Sequence, residues 1–127
     1  MPFRSPGWWL EFLGVAHAGV GIVRYRDALG DIARHKLLDS VPGSGDKATA
    51  FWFMAAAPTL WVGGRLLRSA ESTGDVDAQR TAGVVLTAVG LMGSAAIGRR
   101  PSGFWGVAAV GIATLAGAGR SGCRSAT

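Results

Sequence analysis

Four runs of sixteen to eighteen residues, at positions 8–23, 48–64, 81–98 and 103–119, carry almost no charge. One such run alone is ambiguous: it falls short of the ~20 residues that cross ~30 Å of hydrocarbon and also suits a buried core helix. Four of them in 127 residues leave too little polar chain to cover a core built from them. The repetition therefore predicts an all-α, four-helix transmembrane bundle, a single integral membrane domain with a polar tail at 120–127. Charged residues make up 17% of the chain, below the ~25% usual in soluble domains, which agrees. The expected location is the cell membrane, crossed several times.

Flanking residues fit that placement. Arg24, Arg65 and Arg99 can extend short spans by reaching for the headgroups, and Trp8, Trp9, Trp52 and Trp105 fall near span starts, where indole rings prefer the interface. Asp46 and Ser102 are the expected helix caps of spans two and four, and Pro58 is expected to free the carbonyl of Met54 inside span two. Residues 65–80 read as a polar loop turning at Ser72-Thr73-Gly74, and residues 99–102 as a tight hairpin that makes spans three and four antiparallel neighbours. Between spans one and two, Leu29, Ile32, Ala33, Leu37 and Val41 recur at helical spacing, which predicts an amphipathic surface helix ended by Pro42-Gly43.

Several classes are disfavoured. The net charge of +5 is spread between apolar runs rather than gathered on one stripe, so nucleic acid is not the expected partner; the bilayer is. Cys123 is the one cysteine, so neither an internal disulfide nor a cysteine metal site is expected. The N-terminal run imitates a cleaved signal peptide ending at Ala16-His17-Ala18, but Glu11 in its hydrophobic stretch argues against cleavage. Cations divide six to seven between the two sides of a four-span protein, which leaves orientation open.

Packing is expected through small residues, because lipid offers helices no hydrophobic drive to associate. Gly90, Ser94 and Gly98 form one such ladder, Ala109, Ala113 and Gly117 a second, and Gly14 with Ala18 a shorter third.

The ionisable residues of the first span carry the functional expectation. On a helix, Glu11 and His17 flank Gly14 and Gly21 on one side, turned away from Phe12, Val15 and Val23. His17 lies ~13 Å along the span, near mid-membrane, whereas Glu11 is about one turn in. An ionisable group at that depth costs at least ~2.5–3.5 kcal/mol and is by default a candidate site. Glu11 is close enough to water to be hydrated there; otherwise it pairs, with His17 or an arginine, or gives up its charge. Both residues also suit a plain interhelical hydrogen bond. As a site, Glu11 and His17, with Asp27, are the candidate catalytic groups, an acid–base set for cyclising or isomerising a lipophilic substrate. Arg24, Phe51, Trp52 and Trp105 are the candidates for holding that substrate. The competing uses are proton-coupled transport and a structural accessory role. Asp27, Asp31 and His35 share a helix face, but a solvated helix shows the same pattern, so no metal is assigned, and nothing implies a cofactor.

The ordered set Glu11-x-x-Gly14-x-x-His17, Arg26-Asp27-x-Leu29, Ser40-Val41-Pro42, Ala50-Phe51-Trp52-Phe53, Pro58 and Ser102-Gly103-Phe104-Trp105 resembles an uncharacterised bacterial family of small four-span membrane proteins, a domain of unknown function. The resemblance covers roughly residues 7–119. It implies the four-helix membrane bundle and no reaction.

Overall fold

The computed structural model describes residues 4–34, 45–98 and 101–124, the last four of these as backbone. Among them are five helices, α1 (Pro6–Arg24), α2 (Arg26–Arg34), α3 (Asp46–Thr73), α4 (Val76–Ile97) and α5 (Gly103–Arg124), with no strand. The chain is all-α. One of these helices, Val76–Ile97, is by itself long and apolar enough to cross a membrane. In α1 the run is interrupted by Glu11 and His17, and in α3 it gives way to Arg65 and Arg68.

The helices form two antiparallel pairs. Gly7, Gly14 and Gly21 of α1 meet Gly64 and Arg68, then Ala57 and Trp61, then Phe53 and Met54 of α3. The spacing of seven residues keeps one glycine seam on the partner over three levels, as a left-handed crossing requires. A methyl group on Gly14 would come within 2.8 Å of the Ala57 carbonyl oxygen and the Trp61 backbone nitrogen, so the two backbones pack where no side chain fits. On α4, Gly83 and Gly90 repeat the spacing against Gly111, Leu115 and Ala108 of α5. The pairs join where Leu13 of α1 covers Gly106 of α5.

Several local expectations need correction. Residues 65–80 are not a loop: α3 runs on to Thr73 and α4 starts at Val76, with only the turn between them. Gly74 makes that turn at φ 70°, a left-handed conformation that favours glycine, and its N–H donates to the Ala70 carbonyl. Asp75 then caps α4 by accepting from Ala78 N–H at 2.9 Å. Asp46 is the first residue of α3 rather than its cap, a place taken by Gly45 without a side-chain bond, and the buried Ser102 hydroxyl has no partner. The α5 residues that meet the glycines and Thr87 of α4 are Phe104, Ala108, Gly111 and Leu115, not the expected Ala109–Ala113–Gly117 stripe. Gly90 and Ser94 are buried as expected, but Gly98 is an exposed C-cap.

The surface helix α2 follows α1 after a break at Tyr25 and buries Ile32 against α3. Leu37, Val41 and the Pro42-Gly43 stop lie outside the described residues, as do His35 and Arg99-Arg100.

Candidate functional site

Glu11 stands on the second turn of α1, facing α3. Gly64 lets it lie down there: a methyl group on Gly64 would come within 2.5 Å of the Glu11 backbone nitrogen and 2.7 Å of its Cγ. The carboxylate is thereby led along the helix seam to two guanidinium groups. Arg68 Nη1 donates to Oε2 at 3.0 Å, and Arg65 Nε lies 3.9 Å from Oε1. Only 13% of the Glu11 side chain is exposed, against 44% and 59% for the two arginines, so the acid sits inside and the cations reach to it from the rim. Oε1 is buried without a hydrogen bond, so Arg65 holds it by charge alone.

One turn further along α3, Glu71 accepts the Gly7 backbone N–H at 3.1 Å. That N–H belongs to the first turn of α1, where no carbonyl of the same helix can reach it, so Glu71 caps a helix from another element and places its charge at the positive end of the helix dipole. Glu11, Arg65, Arg68 and Glu71 together carry no net charge. Beside them, Ser5, Ser69 and Ser72 help line an open recess of about 560 Å³.

His17 makes a separate contact. Its Nε2 lies 3.0 Å from the backbone carbonyl oxygen of Phe53, and its ring stacks on the Phe53 ring at 3.8 Å between centroids. A carbonyl only accepts, so Nε2 carries the proton. The Tyr25 ring is tilted against the same phenyl ring, with 5.3 Å between centroids. The carbonyl that His17 uses is that of Phe53, one residue before the Met54 carbonyl that Pro58 leaves unbonded.

Glu11 and His17 therefore do not meet. On a continuous helix they are about 9 Å apart in rise and about 120° apart in azimuth. Their partners on α3, Arg68 and Phe53, are fifteen residues apart.

The remaining sequence candidates fall elsewhere. The Asp27 side chain is 98% exposed on α2 and pairs with Arg26 at 3.7 Å, not with Arg24. Arg24 is exposed in the last turn of α1. Phe51 is half-buried with its ring edge-on to Trp52, which is 70% exposed, and Trp105 is likewise exposed on α5. The structure gathers none of these five around Glu11 or His17. Asp31 is engaged by Arg34 at 3.4 Å and Lys47 at 3.8 Å, and no cluster of metal-ligating side chains occurs among the described residues.

Arg68, Glu71 and Gly7 belong to the polar seam and were not legible as site residues, because Gly7 precedes the first apolar run and positions 65–80 read as loop. The signal was present in the spacing of Gly64, Arg68 and Glu71, which puts them on one helical face.

Residues 1–121 match a family of unknown function (DUF6463), and the chain belongs to that family. No curated protein and no solved structure matches it.

Proposed function

We propose that this member of DUF6463 is a small multi-pass membrane protein of the accessory or binding kind, in which Glu11 and His17 clamp the first helix to the third. The observation that carries the reading is where the large apolar side chains lie. Val84, Val85, Val89, Leu91, Met92 and Ile97 of α4 are all exposed, as are Phe12, Val15, Val20, Ile22 and Val23 of α1. The residues α4 buries are Gln79, Gly83, Gly90 and Ser94. A water-soluble helical protein has the reverse arrangement, with large apolar side chains inside. In lipid the outer face costs nothing, and close glycine packing supplies the association.

Two further points support membrane embedding. Just 17% of the apolar window of α4 is buried, whereas a core helix of a soluble protein would be mostly buried. In α3, Lys47 and Arg65 bracket an uncharged run at 48–64. Its 28 residues extend ~42 Å, longer than the ~30 Å of hydrocarbon, so its arginine-bearing end projects to headgroup level. Glu11 then meets its arginines at the membrane edge, and His17 lies deeper with a neutral acceptor.

The acid–base reading needed both side chains to converge on one substrate. Each is committed to its own partner, about two helical turns from the other, and this favours the accessory role over a cyclase, an isomerase or a proton-coupled carrier. Fractionation of cells expressing the chain tests the reading. Resistance to alkaline carbonate with release by detergent is expected; release by carbonate into the soluble fraction would refute it.

A further inference from the structure

The stripe of Gly106, Ala109, Ala113 and Gly117, which does not pack on α4, forms the floor of a long open groove of about 1010 Å³. Trp9 and Phe12 of α1 wall it. Because α1 and α5 run antiparallel, the start of one and the end of the other meet at the same end of the groove, and each brings an arginine there. Arg4 and Arg120 both line it, and among the described residues no acidic side chain does. The Arg4 guanidinium lies over the Trp8 ring at 3.9 Å, and Arg120 Nε donates to the Ala116 carbonyl at 3.2 Å. Nε is one of five guanidinium donors on Arg120, so its two terminal amino groups remain to meet a ligand.

We propose that this groove holds one lipid with an anionic phosphate headgroup, the phosphate between Arg4 and Arg120 and an acyl chain along the small-residue floor. The inference rests on the membrane reading above. The groove is long enough for one lipid. Gly106 to Arg120 is fourteen residues, about 21 Å of helix, and half a bilayer with its headgroup zone is likewise about 20–22 Å. The order of chemistry along the groove, two cations at one end and apolar surface beyond, is that of a lipid headgroup and tail.

A second copy of the chain is the rival occupant, since small-residue stripes also suit helix association. Two copies related by a twofold axis along the membrane normal would bring both pairs of arginines to the same level, with like charges facing. An anionic lipid meets the same cations with opposite charge. The groove's charge therefore selects the lipid.

The test uses the full chain purified in non-ionic detergent and incubated with equal amounts of dioleoyl phosphatidylglycerol and dioleoyl phosphatidylcholine, with retained lipid read by native mass spectrometry. Phosphatidylglycerol should be held about ten- to thirty-fold better, the range expected when two cations meet a headgroup of net negative charge rather than a zwitterionic one. The Arg4→Gln/Arg120→Gln variant should lose the preference, while Arg26→Gln/Arg80→Gln, which alters two exposed cations elsewhere, should keep it. Ala113→Phe, which fills the floor without touching the charges, should lose both lipids at unchanged helicity by circular dichroism. Equal retention of the two lipids by a chain that stays in carbonate-washed membranes overturns the groove assignment alone. Release of the chain by carbonate overturns it together with the membrane reading. An Ala113→Phe variant that keeps its lipid, or that turns a dimer into a monomer, also overturns it.

Discussion

The Nε2 atom of His17 lies 3.0 Å from the backbone carbonyl oxygen of Phe53, on a helix that carries Pro58 five residues later. The imidazole is thus a donor to backbone, and its ring is stacked on the phenyl ring of the same residue. Nitrogen-15 spectra of histidine-labelled protein in detergent should show Nε2 protonated. A neutral ring with the proton on Nδ1 would exclude the bond.

Replacing His17 by Ala removes both the donor and the stacked ring. The expected loss is about 1–2 kcal/mol, since interhelical hydrogen bonds in membranes contribute ~0.6 kcal/mol on average and the ring adds packing. Reversible unfolding in mixed micelles measures it. An unchanged midpoint would show that the contact holds nothing.

Glu11 and Arg68 form a pair with one inner and one half-exposed partner. A double-mutant cycle with Glu11→Gln and Arg68→Gln should give a coupling of about 0.5–1 kcal/mol, because solvent and salt screen the outer partner. The coupling should fall as salt rises. A coupling of zero would mean that Arg65 alone neutralises the carboxylate.

Glycines in the same helix should respond oppositely to a methyl group. Gly14→Ala forces apart the α1 and α3 backbones and should cost about 1–3 kcal/mol. At Gly19 nothing lies within 4 Å, so Gly19→Ala should stabilise the helix by about 0.5–1 kcal/mol. Thermal unfolding of the two variants compares them directly, and equal effects would argue against the seam.

Asp27→Asn should leave the unfolding midpoint within error of the parent, because the side chain is 98% exposed and pairs with a likewise solvated Arg26. A marked change would place Asp27 in a contact that the structure lacks.

The sequence made the helices legible and left their pairing largely hidden, for identifiable reasons. Apolar runs mark α1, α3, α4 and α5, and Gly74 marks the turn between α3 and α4, because only hydrophobicity and backbone freedom are needed to read them. The last turns of α3 were hidden: Arg65, Arg68, Ser69 and Glu71 look like a loop until Glu11 and Gly7 are seen to bind them. The α1 seam was legible in part: Gly14 and Gly21 are already seven apart inside the apolar run, but its third member, Gly7, lies just before it. On α5 two stripes of small residues exist, and periodicity cannot choose between them; Gly83 and Gly90 of α4 do. For Glu11 the sequence left His17 and an arginine both open as partners, and that His17 would find a backbone carbonyl was not readable, because every helix supplies carbonyls.

Spin labels at Val84, Val89 and Met92, introduced singly as cysteines with Cys123 replaced by Ser, report directly what surrounds the outer face of α4 in reconstituted bilayers. Membrane embedding predicts that all three collide with dissolved oxygen more than with a water-soluble nickel chelate, while a label at Asp77 shows the reverse. Nickel accessibility at Val84, Val89 and Met92 equal to that at Asp77 would put this face in water and contradict the inside-out packing on which the proposed role depends.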